Sequence, residues 1–286
     1  DDVKQNGGQV ILTKNTHKTG TDRIYEALQK IDNSNIDLIM NLQGDEPLMN
    51  VEDIKNLHNQ MIKNESGFGT LASIILKRGN HCDVFLSRNK KKLSDFDHTL
   101  KIGTSSLRRK AQLLNINSDL NIYDIRGNVD TRISKMLNGE FDGLVMAAAG
   151  IERLGLQEHV TEYFDTDQML PAPGQGAISV EVKKKNNELL EMLKNICDEE
   201  TDLCTYYERS FMNELGGGCN SPIGAYSFIS NNKKKITGSI LSLDGKQVYK
   251  RSLEKDLSDD INIGKLLAED LIKSGAKEII KKLTIE

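Results

Sequence analysis

The sequence predicts an α/β protein: an open sheet with helices through the middle of the chain, an α/β segment before it and a small α+β domain at the C-terminus. Three observations carry this. Between Ile102 and Arg153 the chain repeats one pattern three times, in KIGTSSLRRKAQLL, NIYDIRGNVDTRISKML and FDGLVMAAAGIERLG. Each is an apolar run, a short polar turn and an amphipathic continuation, the signature of a strand passing into a helix. Residues 1–77 show a similar alternation of short apolar runs and helical periodicity. After residue 199 an amphipathic helix is followed by strand-like runs and a second helix.

Taken in order, GGQVILT reads as a short strand, and Thr21-Asp22 as the cap of a helix whose apolar face is Ile24, Ala27, Leu28 and Ile31. IDLIMNL is a second strand ending in the turn Gln43-Gly44-Asp45-Glu46-Pro47. A helix with Ile54, Leu57 and Met61 on one face and the strand FGTLASIIL complete a βαβαβ arrangement. Asp45 lies just past a strand end, where a carboxylate can hold a divalent metal on a phosphate. On spacing alone, a turn aspartate beside Gly and Pro is the plainer reading.

The central stretch places arginine at or just beyond each turn: Arg108 and Arg109, Arg126 and Arg132, then Arg153. Five of the ten arginines fall between Ile102 and Arg153, against only two lysines, Lys110 and Lys135. The planar guanidinium suits carboxylate or phosphate recognition better than the point charge of lysine. Ligands of open α/β sheets sit outside the carboxyl ends of the strands, where these arginines should gather. Two arginines near a helix start also conflict with the helix macrodipole, a conflict that a bound anion relieves. Any one of them alone would be an ordinary surface arginine. Five in phase with three strand–helix units point to a polyanion site.

Further on, Pro173-Gly174-Gln175-Gly176 is glycine-rich, and glycine there permits positive φ and close chain approach. A hinge turn without a ligand fits it equally well. Cys219 follows three glycines and precedes Asn220-Ser221-Pro222, which places it on a tight, accessible loop. Cys197 and Cys204 lie in helical text and read as small buried hydrophobes. Leu203, Tyr207, Phe211 and Leu215 form a helical core stripe. AYSFI, ITGSILSL and QVYKRSL read as antiparallel strands, the last two joined by the hairpin signal Asp244-Gly245. A final helix over Ile263–Lys273 should stop at Ser274-Gly275.

Composition bounds the function. The 286 residues allow about two domains, and 37% hydrophobic content supports a packed core. A net charge of −4 argues against a general nucleic-acid binder, so any basic site is local. No apolar run reaches membrane-spanning length, and the first residues do not read as a signal peptide. The four cysteines lack the CxxC spacing of zinc or redox sites, so free thiols in a reducing cytoplasm are expected.

From Arg78 to Glu286 the motifs GTSSLRR, IRGNVDTR, AAAGIERLG, LPAPGQGAISVE and YERSFMNELGGGCNSPIGAY, with an α+β domain after them, resemble hydroxymethylbilane synthase (porphobilinogen deaminase) in family order. The resemblance implies stepwise condensation of four porphobilinogens, with loss of ammonia, onto a dipyrromethane cofactor held by a cysteine thioether, in tetrapyrrole (heme) biosynthesis. It implies a periplasmic-binding-protein-like domain two over 78–172, a return segment of domain one over 173–198 and a cysteine-loop domain over 199–286. By motif match Cys219 carries the cofactor, and Ser106, Arg108, Arg109, Arg126, Arg132 and Arg153 contact cofactor and substrate carboxylates. Gln175 belongs to the loop returning towards domain one. Asn220 stands where the family usually has Gln. Expected partners are porphobilinogen and linear pyrrole intermediates, with no nucleic acid and no membrane, for a cytoplasmic monomer.

HKTGTDRIYEAL and NLQGDEPL, within residues 1–76, resemble 3-deoxy-manno-octulosonate cytidylyltransferase, an α/β nucleotidyltransferase that makes CMP-Kdo from CTP and Kdo. That resemblance implies a Mg2+ ligand at Asp45 and cleft residues at His17 and Arg23. It leaves most of the synthase family's first domain absent, including its GTR-type strand motif and the Lys-Asp pair with the main catalytic aspartate. No catalytic residue is therefore assigned, and little or no turnover is expected. The competing readings are a cytidylyltransferase fragment, a non-catalytic module for pyrrole carboxylates, and a fusion of two gene fragments.

Overall fold

The computed structural model describes residues 11–14, 20–31, 71–183, 187–218 and 221–283. The chain divides into two compact units, Asp1–Gly67 and Phe68–Glu286. In the first, helix α1 (Gly20–Gln29) matches the expected helix, beginning one residue before the expected cap. Lys30 pairs with Glu26 one turn earlier at 2.6 Å and donates to the Leu12 carbonyl at 2.7 Å, tying the helix to the segment before it. Ile11–Lys14 has no regular secondary structure, although the first expected strand reaches into it. The second expected strand, the 43–47 turn, the helix bearing Ile54, Asp45 and His17 lie outside the described residues, as does the Arg23 side chain.

Among its described residues the second unit holds three sheets. β1 (Leu71–Ile75) pairs antiparallel with β7 (Ser179–Lys183), so Leu71–Ile75, inside the expected strand FGTLASIIL, belongs with the later chain. The main sheet has five strands: β2 (Asp83–Ser87), β3 (Lys101–Gly103), β4 (Asn121–Tyr123), β5 (Gly143–Ala147) and β6 (Val160–Tyr163), in the order β4-β3-β5-β2-β6. β3 runs parallel to β4 and β5, while β2 runs antiparallel to β5 and β6. The three expected strand–helix units are all present, with α2 (Leu107–Ile116), α3 (Val129–Leu137) and α4 (Ala148–Arg153) after β3, β4 and β5. Alternation along the strands sorts the core. Val84, Leu86, Leu144 and Met146 pack on Val129, Ile133 and Met136 of α3, while Phe85, Val145 and Ile102 pack on the opposite face with Leu113, Phe96 and Phe164.

α5 (Asn187–Lys194) leads to the long α6 (Glu199–Leu215), capped by Asp198 and stopped by Gly216 in the left-handed conformation. Its stripe Tyr207, Phe211 and Leu215 is buried as expected, with Leu203 half-buried beside it. The stripe faces an antiparallel meander of β8 (Ile223–Ser230), β9 (Lys233–Leu241) and β10 (Val248–Asp256). α7 (Ile263–Lys273) and α8 (Lys277–Leu283) close the chain, and α7 has the bounds that its sequence predicts. Cys204 is buried and Cys197 half-buried. The Asp244-Gly245 turn lies on the C-terminal end of α2: Asn115 Nδ2 donates to the Gly245 carbonyl at 2.9 Å, and Gly245 has φ +72°. A Cβ at Gly245 would meet the Asn115 nitrogen at 2.5 Å, so only glycine permits this approach.

Candidate functional site

The site starts at the head of α2. β3 ends at Gly103, and the Ser106 hydroxyl caps α2 by accepting from the Arg109 backbone N–H at 3.4 Å. The first turn of α2 contains no acidic residue, yet it carries Arg108 and Arg109. Their counter-charge comes from Asp83, the first residue of β2, which is fully buried. Asp83 Oδ2 accepts from Arg108 Nη1 at 2.6 Å, and Oδ1 accepts from Arg108 Nη2 at 3.2 Å and Arg109 Nε at 2.8 Å. Burial alone would push the Asp83 carboxyl up. The two guanidiniums, with hydrogen bonds from Arg108 and Gln175, outweigh that and hold it below the ordinary carboxylate range.

Gln175 closes the cluster from the other side. Its Oε1 accepts from Arg108 Nη2 at 3.1 Å, while Nε2 donates to the His81 carbonyl at 2.7 Å and to Asp83 Oδ1 at 3.1 Å. The flanking glycines make this reach possible. Gly174 and Gly176 have φ of +77° and +85°, and a Cβ at Gly176 would sit 2.9 Å from the Asn80 carbonyl oxygen. The Gly79 N–H donates to the Gly176 carbonyl at 3.0 Å, and Arg153 Nη2 donates to the same oxygen at 3.3 Å.

The predicted arginines therefore have different placements. Arg108 is 3% exposed and also donates to the Leu170 carbonyl at 2.8 Å. Arg109 is half-buried, and its guanidinium is held below the ordinary arginine value by burial, opposed by Asp83 and reinforced by Arg108 and Arg132. Arg132, on α3, is near enough to exert that field, and its Nε donates to the Gly127 carbonyl at 2.7 Å. Arg126 is exposed just before α3, and Arg153 ends α4 beside Gly176. Cys219 and Asn220 lie outside the described residues; on either side, the Ser221 hydroxyl accepts from the Gly218 N–H at 3.1 Å.

Sequence reasoning missed two further elements. Asp83 stands at the head of a strand whose five residues are all buried, and a carboxylate at the start of an apolar run is a signal that a cation must meet it. The second is a buried ion pair joining Arg78 to Glu208 of α6, with Arg78 Nη1 at 2.7 Å from Oε1 and Nη2 at 3.0 Å from Oε2. Glu208 also accepts from the backbone N–H of Gly174 at 2.7 Å and of Ser227 at 2.8 Å. Arg78 lies 5.1 Å from the centroid of the Tyr226 ring, on which His81 stacks at 3.9 Å. Burial, then the Arg78 charge, lowers the His81 pKa to about 4. Among the described residues no cluster of His, Cys, Asp and Glu is arranged to hold a metal, and no helix is long and apolar enough to cross a membrane.

Comparison with known proteins covers nearly the whole chain. Residues 4–191 match the family model described as porphobilinogen deaminase, dipyromethane cofactor binding domain, and residues 202–273 match the porphobilinogen deaminase C-terminal domain. The porphobilinogen deaminase of Alkaliphilus metalliredigens is 36% identical over 281 residues, 98% of this chain and 84% of its own length. That of Francisella philomiragia is 36% identical over 275 residues, covering 96% and 86%. That of Desulforamulus reducens is 39% identical over 215 residues, covering 75% and 70%. Among solved structures, a YaeC-family lipoprotein from Enterococcus faecalis aligns over 55% of this chain and 73% of its own at 14% identity and TM-score 0.31, too slight a likeness to bear on function.

These matches correct the expectation for the N-terminal segment. The family match begins at residue 4, so the reading of residues 1–76 as a cytidylyltransferase fragment finds no support, and with it goes the Mg2+ role of Asp45. Nor is the expected loss of most of the first domain supported, and the expectation of little or no turnover loses its ground with it. That reading rests on two short motifs, whereas the family match extends over residues 4–191. The chain belongs to the porphobilinogen deaminase family, whose first model is a dipyrromethane-binding domain and whose members are transferases.

Proposed function

We infer that this chain is a hydroxymethylbilane synthase, holding a dipyrromethane at Cys219 and adding porphobilinogen units to it. One observation carries the reading: the guanidiniums of Arg108 and Arg109 share the single buried carboxylate of Asp83, at 2.6–3.2 Å. In a chain with net charge −4, that local excess of positive charge fits a ligand bearing several carboxylates. The acetate and propionate groups of a dipyrromethane are such a set, so the residues present fit the cofactor that the family model names.

Arg109 binds a carboxylate by charge-assisted hydrogen bonds, each contributing about 1.5–3 kcal/mol. Arg132 and Arg126, flanking the start of α3, receive further carboxylates as the product grows, and the exposure of Arg126 suits the outer end of that track. The Ser106 hydroxyl, already an acceptor for the helix end, has a proton to donate to a ligand oxygen. Gln175 and Arg153 act on the approach of chain segments, at Asp83 and at the Gly176 carbonyl. When bound, the dipyrromethane would supply the free pyrrole α-carbon that accepts the first porphobilinogen with loss of ammonia, each later unit joining the ring added before it. We read residues 78–172 as a periplasmic-binding-protein-like domain two, 173–198 as the return to domain one and 199–286 as the domain presenting Cys219. Support comes from the pairing of β1 with β7 and from the crossing of the chain at Gly79 and Gly176.

Intact mass tests the cofactor and ammonia release tests turnover. Purified full-length chain supplied with porphobilinogen should gain the mass of a dipyrromethane and then release ammonia, and Cys219→Ser should do neither. Soluble, folded protein that gains no mass would overturn the reading.

A further inference from the structure

We propose that Asp83 is a positioning residue that separates the roles of two adjacent arginines, fixing Arg108 as a structural cation and aiming Arg109 at a ligand carboxylate. The proposal rests on the tetrapyrrole reading for the identity of that ligand, but its geometry stands by itself. Asp83 faces Ala147 in the β2–β5 pairing, where β5 passes into α4, and it is fully buried. Its two oxygens meet both terminal nitrogens of Arg108, at 2.6 and 3.2 Å. Those same nitrogens also donate to the Leu170 carbonyl and to Gln175 Oε1. Arg108 is 3% exposed with acceptors on both terminal nitrogens, and the one donor left without a partner, Nε, is buried out of a ligand's reach.

Arg109 is held differently. Its Nε and Nη2 both lie 2.8 Å from Asp83 Oδ1, so one edge of the planar guanidinium rests on the carboxylate. Its Nη1 has only a long contact of 3.4 Å to the Val145 carbonyl. A guanidinium fixed along one edge has its orientation set and its other edge turned away from the anchoring carboxylate. The side chain is 12% exposed, so part of it is within reach of a ligand. One carboxylate shared by two guanidiniums leaves one positive charge uncompensated, and the geometry assigns it to Arg109.

An asparagine at position 83 keeps the shape, removes the charge and halves the acceptors, so Arg108, Arg109 and Gln175 would contest a single oxygen. A first test needs no activity. The full chain carrying Cys219→Ser, which leaves no thiol to tether a group over Arg109, is treated with phenylglyoxal and its modified peptides are mapped. Arg109 should react and Arg108 should be spared; equal reaction of the two overturns the proposal. The second test compares wild-type position 83 with Asp83→Asn and Asp83→Glu, each in the Cys219→Ser chain so that no porphobilinogen is consumed, by calorimetric titration with porphobilinogen, alongside their unfolding midpoints. In folded Asp83→Asn the dissociation constant should rise about tenfold or more, and Asp83→Glu, which keeps the charge, should recover most of that loss. Folded Asp83→Asn with wild-type affinity, or with a lower midpoint and no change in affinity, makes Asp83 structural only and overturns the proposal. A Cys219→Ser chain with Asp83 intact that does not bind porphobilinogen counts against the tetrapyrrole reading instead, and the labelling contrast still decides the role of Asp83.

Discussion

Glu208→Ala removes a buried carboxylate and leaves the Arg78 guanidinium in place. Glu208 is fully buried, and it accepts from both terminal nitrogens of Arg78 and from the backbone N–H groups of Gly174 and Ser227. The Arg78 side chain is 11% exposed, so solvent replaces little of what is lost. Breaking one side of a buried ion pair costs about 3–5 kcal/mol. For a unit of this size each kcal/mol lowers the thermal midpoint by roughly 2–4 °C, so the fall should be about 6–20 °C. Removing both charges in Arg78→Met with Glu208→Leu should recover much of the loss, because no uncompensated charge is then buried. The recovery should stay incomplete, since the Gly174 and Ser227 N–H groups still lose their acceptor. Urea unfolding of wild type, Arg78→Met, Glu208→Leu and the double variant gives the coupling directly. A Glu208→Ala cost under about 1 kcal/mol, or a cycle in which the two losses simply add, would refute the view that this pair holds α6 to the chain crossing.

Three further outcomes follow from close packing and from proton linkage. Gly245→Val should cost about 2–4 kcal/mol, because φ is +72° and the new Cβ would lie 2.5 Å from the Asn115 nitrogen; an unchanged unfolding midpoint would show that the turn yields freely. The His81 pKa is about 4 in the folded protein against 6.5 for the free side chain, so the unfolded chain takes up the proton first as pH falls. Stability should therefore decline from pH 6.5 towards about 4, and His81→Phe should flatten that slope in urea midpoints measured across the window. Asp83 acts lower: its folded pKa lies below 3.8, so the stability it contributes is present above 3.8 and is lost as pH falls through the folded value. A slope that His81→Phe leaves untouched would mean that another group titrates there.

The elements that depend on local pattern were legible in the sequence. The strand–helix units from β3 to α4, the α6 stripe and the β9–β10 hairpin follow from apolar periodicity and turn residues close together in the chain. The sheet order was not legible, because β2 enters antiparallel between β5 and β6 and no local pattern encodes its neighbours. The arginines were visible as a group, but their separate placements were not. Arg108 and Arg109 are adjacent in sequence, yet successive residues of a helix point about 100° apart, and Asp83 lies 25 positions before Arg108. Glu208 lies 130 positions from Arg78, so each reads alone as a solvated charge. At the N-terminus two short local motifs point to one family, whereas the match over residues 4–191 is to another.

Helix α2 is pinned at both ends. Asp83 and Gln175 hold the arginines of its first turn, and the Gly245 turn bears on its last residues. Ten residues span roughly 15 Å, so α2 behaves as a short rod with a clamp at each tip. A rod clamped once can still swing about its clamp, whereas one clamped twice can only roll about its own axis, and the Asn115 bond to Gly245 resists even that. The direction in which Arg109 points is therefore set in part from the far end of the helix, by the Gly245 turn.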